Sequence, residues 1–160
     1  MKTKIHILAI MIVTLLGMIS CNNNLLYDEY KKIENESWSL NDKLKFEFEV
    51  DDTVGFYNIF ITVRHTQDYP YNNLWLFVKS SAPNGRTALD TVEIILSDNK
   101  GRWLGSGLGD IYDFDLLWKK GIRFAIPGKY IVEYQQAMRI DDLMGIKKMG
   151  LRVEKIKQLD

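Results

Sequence analysis

Leu44-Lys45-Phe46-Glu47-Phe48-Glu49-Val50 decides the fold. Four apolar side chains alternate with three charges, so one face of the segment is apolar and the other carries Lys45, Glu47 and Glu49. A two-residue period belongs to a half-buried β-strand, because successive side chains of extended backbone point to opposite faces. The same residues on a helix would be scattered around its circumference. Asp51-Asp52-Thr53-Val54-Gly55 breaks the pattern, and Tyr57 to Arg64 resumes it with the β-branched Ile59, Ile61 and Val63 in phase.

Working outward, the same grammar recurs. Leu74 to Lys79 is apolar on both faces, Pro83-Asn84-Gly85 supplies a tight turn, and Ala88 to Leu96 returns with Val92, Ile94 and Leu96 aligned. If Leu74, Leu76 and Val78 face the core, Trp75 and Phe77 must face a loop, another layer or a partner. Asp98 to Asp115 reads as a long structured loop rich in glycine (Gly101, Gly105, Gly107, Gly109), with a short strand at Trp103. Phe114 to Phe124 reads as a strand, or as one helical turn and then a strand. Pro127-Gly128 turns the chain into Lys129 to Met138. Asp141 to Ile146 reads as a loop or short helical turn, and Gly150 to Ile156 as a closing strand. Seven or eight strands without a long helical stripe predict an all-β antiparallel sandwich, with a barrel second. Jelly-roll and immunoglobulin-like connections are equally compatible with this spacing.

The amino terminus has a different character. Lys2 and Lys4 precede an apolar run, Ile5 to Ile19, that ends in Ser20-Cys21, the only cysteine of the 160 residues. The run is interrupted by His6, Thr14 and Gly17 and is short for a span, which needs roughly 20 apolar residues. It has the layout of an export signal. Met18-Ile19-Ser20-Cys21 is similar to a bacterial lipobox, in which cleavage precedes the cysteine and its sulfur carries lipid; the plainer alternative is an incidental cysteine in a secretory signal. Three segments are expected: a lipoprotein signal peptide over residues 1–20, lipidated Cys21 with a tether to residue 36, and a β-sandwich domain over residues 37–160. A tether of that length reaches about 45 Å extended or about 20 Å as a coil. No acidic cluster directly follows Cys21, which favours the periplasmic face of the outer membrane over export to the cell surface.

Cleavage of 20 residues leaves 140, the size of one domain, with 19 basic and 21 acidic groups once Lys2 and Lys4 are gone. A balance near −2 with no basic stripe excludes nucleic acid as a partner. With Cys21 acylated, no thiol remains for a disulfide or a soft metal site, so the fold must stand on packing. The covalent lipid on Cys21 is the only group the chain is expected to carry, with no cofactor.

Chemistry-bearing residues are sparse. His65 is the one histidine beyond the signal and reads as a surface or strand-edge residue. Asp110, Asp113 and Asp115 follow the glycine-rich stretch and could offer oxygen ligands to calcium or an acid–base pair. Tyr112 and Phe114 intervene where calcium loops place glycine or asparagine, so turn-capping or solvent-facing roles are favoured over a metal. The aromatic excess is more suggestive. Tyr69, Tyr71, Trp75, Trp103 and Tyr112 lie among asparagines, where they could anchor a protein interface or stack on sugar rings; core packing is the bland account.

Several blocks together carry a family resemblance: Phe56 to Arg64, Asp68 to Phe77, Gly101-Arg102-Trp103-Leu104-Gly105, Gly109 to Asp113, Gln135 to Arg139, and Leu143 to Ile146 followed by Gly150 to Glu154. In that order they resemble the GldH gliding-motility lipoproteins of Bacteroidota, over nearly the whole chain after Cys21. The resemblance implies a non-enzymatic, lipid-anchored component of the gliding apparatus, a system associated with type IX secretion across the outer membrane. It implies contacts with other envelope or motility proteins and brings no catalytic residues. A glycan-binding sandwich is the alternative function. A hydrolase using the three aspartates comes third.

Overall fold

The computed structural model describes residues 24–157. The expected signal peptide and Cys21 lie outside the described residues. The described residues form eleven strands: β1 (Leu25–Lys32), β2 (Ser37–Ser39), β3 (Leu44–Val50), β4 (Tyr57–Thr66), β5 (Asn73–Ser81), β6 (Thr87–Ile95), β7 (Ser106–Leu108), β8 (Ile111–Ile122), β9 (Gly128–Gln136), β10 (Asp142–Met144) and β11 (Ile146–Lys155). Every pairing between them is antiparallel. One sheet has the order β1-β11-β4-β8-β7 and the facing sheet β3-β9-β5-β6, while β2 and β10 form a two-stranded flap. The architecture is the all-β antiparallel sandwich that the alternation predicts. Among the described residues no helix is long and apolar enough to cross a membrane.

The phase of the alternation sets which side chains meet. Phe46, Phe48 and Val50 of β3, Ile59, Ile61 and Val63 of β4, Leu74, Leu76 and Val78 of β5, and Met149, Leu151 and Val153 of β11 are all buried in one core. Burying one such side chain contributes about 1.5–3 kcal/mol, so these twelve alone make the sandwich the strong minimum for the chain. The flap closes one end. Trp38 of β2 is 1% exposed and its indole N–H donates to the Asp42 carbonyl at 2.9 Å, while Leu143 of β10 sits opposite it.

Three expectations need correction. Leu25–Lys32 is not tether but strand β1, in register with β11 from Leu25↔Glu154 to Lys32↔Lys148, so the sandwich includes residues 25–32 and does not start at residue 37. Its period is hidden because the inward positions after Tyr27 are charged. Glu29 accepts hydrogen bonds from the Tyr27 hydroxyl and the Lys31 ammonium, and Lys31 lies 5.9 Å over the Phe46 ring. Long side chains bury their stems in this way while their charges find partners. Asp98 to Asp115 is only partly loop, since β7 and the start of β8 lie within it, and Phe114 to Phe124 contains no helical turn. Asp141 to Ile146 contains the strand β10, followed by a turn at Gly145 with φ +88 whose Cβ would meet the Tyr69 Cα at 3.0 Å.

Candidate functional site

Three clusters account for the singled-out residues. The first lies at the end of the core where β4, β8 and the loops after β4 and β6 converge. Strand β4 places Tyr57, Ile59, Ile61, Val63 and His65 on one face, so His65 is fully buried and not at a surface or edge. Its ring lies 4.5 Å from Trp103, 5.6 Å from Tyr112 and 5.7 Å from Tyr69, centroid to centroid, and Tyr71 packs on Tyr69 at 5.8 Å. Nδ1 lies 2.8 Å from the Thr66 carbonyl. A carbonyl only accepts, so Nδ1 carries the proton and Nε2 is a bare acceptor that meets no donor among the described residues. Burial pushes the His65 pKa down, against smaller upward pulls from the Thr66 carbonyl and Asp113. The imidazole is held neutral as a polarisable packing piece.

The same burial changes the reading of the aromatics. Tyr69 is 3% exposed and its hydroxyl donates to the Asn73 carbonyl at 2.9 Å; Tyr71, Trp103 and Tyr112 are half-buried. Tyr69 therefore cannot offer a face to a sugar or a partner. The glycines beside the cluster serve closeness more than turning. A Cβ on Gly105 would stand 2.5 Å from the Asp113 carbonyl oxygen, and one on Gly107 would stand 2.7 Å from the Tyr112 ring, so only hydrogen fits between β7 and β8.

The second cluster covers the outer face of the five-stranded sheet. Arg64 binds Asp113 in a two-pronged contact at 2.6 and 2.5 Å, and Arg152 reaches Asp115 at 2.8 Å and also binds Glu154. Asp115 further accepts from the Thr62 hydroxyl at 2.6 Å, and the Arg152 guanidinium lies 4.3 Å over the Phe60 ring. Asp110 stands apart, in the turn between β7 and β8. Among the described residues no group of three His, Cys, Asp or Glu could hold a metal ion. Asp110, Asp113 and Asp115 are not gathered around one point: two of the carboxylates bind arginines, Asp113 that of Arg64 on the adjacent strand β4 and Asp115 that of Arg152 on β11, one strand further, pairs that linear spacing does not reveal.

The third cluster faces the opposite way, from the outside of the four-stranded sheet. Leu74, Leu76 and Val78 point inward at 0% exposure, and Trp75 and Phe77 point outward at 36% and 42%. Leu40, Ala137 and Met138 complete a groove of about 660 Å³ around these two rings, and the Trp75 amide donates to the Met138 sulfur at 3.2 Å. Leu89 and Ile95 of β6, at 69% and 45% exposure, extend the apolar character along the same face.

Comparison with known proteins places this sandwich. The model of the GldH lipoprotein family matches residues 25–153. The chain belongs to the GldH lipoprotein family. It is 37% identical over 153 residues to the gliding motility lipoprotein GldH homolog of Christiangramia forsetii, covering 91% of this chain and 93% of that protein. It is 32% identical over 152 residues to the gliding motility lipoprotein GldH of Flavobacterium johnsoniae, covering 91% and 94%. Among solved structures, the infectious bursal disease virus VP2 subviral particle aligns over 81% of this chain and 30% of its own at a TM-score of 0.35 and 14% identity. Dimeric latent PorU from Porphyromonas gingivalis aligns over 82% and 13% at 0.37 and 10%. Superposition at that level carries no argument about function.

The family match begins at Leu25, the first residue of β1, so the edge strand lies within the matched region. In this GldH family member the sequence reading found Trp75 as an outward ring and missed the arginines that occupy Asp113 and Asp115. It also missed His65 as a hub, although a signal was present: counting by twos from Tyr57 lands on His65.

Proposed function

We propose that this GldH family member is an outer-membrane lipoprotein of the gliding apparatus, associated with type IX secretion, that works by contact with other envelope proteins and not by turning over substrate. Acyl chains on Cys21 hold it at the periplasmic face. The observation that carries the contact reading is the pair of outward rings, Trp75 and Phe77, beside the Leu40–Met138 groove. Large aromatics set in a groove, with the exposed Leu89 and Ile95 beside them on the same face, have the composition of interface hot spots. The absence of turnover is supported by the state of the polar groups: His65 is sealed among aromatic rings, and Asp113 and Asp115 are bound by arginines. A tether that confines the domain to the membrane raises the local concentration of membrane partners, so modest pairwise affinity suffices.

The test uses the full chain expressed in its own cells, with a photo-crosslinking residue replacing Leu89 at the edge of the patch. Covalent adducts with motility or secretion components are expected, and Trp75→Ala/Phe77→Ala should abolish both the adducts and spreading on agar without lowering Tm. Unchanged adducts and unchanged spreading in the double variant would remove the contact reading. Retention in the outer-membrane fraction should be lost on Cys21→Ala; an unaltered distribution would remove the anchor.

A further inference from the structure

A second concavity lies inside the sandwich, where the two sheets part between the edge strand β6 and strand β8. Its volume is about 630 Å³, within the roughly 300–1,000 Å³ of ligand pockets. Ile59, Phe124 and Val132 form its floor, and Trp118 and Ile122 of β8 form one wall. The opposite wall is the β5–β6 hairpin, whose inward positions there are the small residues Ser80 and Ala88 where the rest of the sandwich has Leu76, Val78 and Ile94. The sheets are therefore held apart by large residues on one side and left unfilled on the other. Water reaches the core through this opening: the lining residues Phe48, Ile59, Phe124 and Val132 keep 5%, 5%, 6% and 3% exposure, while Leu74, Leu76, Ile94 and Met149 keep none.

The rim is cationic. Arg86, Lys119 and Arg123 border it, against a single carboxylate, Asp90, which binds Lys119 at 2.8 Å across the gap between the sheets. Arg123 leans on Phe56 at 5.7 Å, and the Arg86 guanidinium makes no ion pair among the described residues. The opening also lies at a particular end of the molecule. Leu25, at the start of β1, is in register with Glu154, Glu154 with Asn58, and the Asn58 side chain accepts from the Gly121 amide at 3.0 Å. The point where the described chain begins and the mouth of the cavity thus share one end of the sandwich.

We infer that this cavity takes the acyl chain of an anionic membrane amphiphile, with Arg86 and Arg123 meeting the head group. Three observations converge: an apolar interior open to water, a surplus of positive charge at its mouth, and a position at the end from which a lipid anchor would leave. The last rests on the anchor proposed above; the first two do not. Transfer of a hydrocarbon chain into the cavity removes the wetted surface of Ile59, Phe124 and Val132 from water, and the cationic mouth selects the sign of the head group.

The experiment uses the full-length chain, lipidated and as the unlipidated Cys21→Ser form, titrated with cis-parinaric acid, a fluorescent anionic fatty acid. Saturable one-to-one binding to both forms is expected, displaced by palmitate and not by the cationic hexadecyltrimethylammonium. Ala88→Phe, at an exposed position that opens into the gap, should abolish binding. Arg86→Glu should weaken it roughly fivefold with Tm unchanged, which keeps the test decisive if the larger substitution perturbs folding. Undiminished binding in Arg86→Glu, or equal displacement by the cationic amphiphile, would overturn the inference. So would binding to Cys21→Ser alone, since the molecule's own anchor would then fill the cavity. These readouts need no partner protein, so they stand or fall apart from the contact reading.

Discussion

Gly150→Val should be costly in this protein and nearly harmless once Tyr30 is gone. Gly150 lies in the middle of β11, opposite Tyr30 of β1 and Thr62 of β4. The Tyr30 ring lies flat across the space a side chain would fill: a Cβ would stand 2.8 Å from both Cδ1 and Cε1 and 3.1 Å from the Thr62 Cβ. Valine must therefore expel the ring, which loses its position 4.3 Å beneath the Lys148 ammonium and its cover over the Thr62–Asp115 hydrogen bond. Overpacking of this kind costs about 1–3 kcal/mol, and for a domain near this size each kcal/mol moves Tm by roughly 3–5 °C. A fall of about 3–15 °C is expected in a calorimetric melt. In a Tyr30→Ala background only the Thr62 Cβ stays close, and the β-branched residue favours the strand, so the same substitution should be close to neutral. The double-mutant cycle should return a coupling of about 1–3 kcal/mol. Equal cost in both backgrounds would refute the ring-over-glycine account.

Acid should weaken the fold through His65. The buried ring has a pKa below its ordinary value of 6.5, so the unfolded chain binds the proton first and stability falls as pH drops through that value. Chemical denaturation between pH 7.5 and 5.5 should show the decline in the native chain and its absence in His65→Phe; parallel profiles would sink the assignment. Trp38→Ala should cost about 3–5 kcal/mol by leaving the flap end of the core empty, and Trp38→Phe about 1 kcal/mol for the lost Asp42 bond, read as shifts in urea midpoint. Asp113→Ala should cost less than about 1 kcal/mol, since both partners of its ion pair are part-exposed. Millimolar calcium should leave Tm unchanged, and a rise of several degrees would restore a cation site at the acidic run.

The long strands were legible because their inner faces are uniformly apolar. Leu44–Val50 matches its predicted boundaries to the residue, and Tyr57 to Arg64 grows by only two positions. Strand β1 was illegible for the opposite reason: after Tyr27 its inward residues are Glu29 and Lys31, which satisfy each other and so break the hydrophobic period without breaking the strand. Strands β2, β7 and β10, three residues each, are too short to show any period. At the candidate site, the outward turn of Trp75 and Phe77 followed from parity alone. The neutralisation of Asp113 and Asp115 did not, because Arg64 and Arg152 reach them only through the register of β4 and β11, some 49 and 37 residues away in the chain.

The placement of β1 has a mechanical consequence. Its first residue is zipped to β11 directly after Asn24, whose carbonyl accepts from the Lys155 amide at 2.7 Å. A pull applied through the residues before Asn24 along the strand axis loads the β1–β11 ladder in shear, so its rungs resist together. The same pull directed sideways would peel them one at a time. A domain standing on end over the bilayer would hold against drag that would unravel one lying flat.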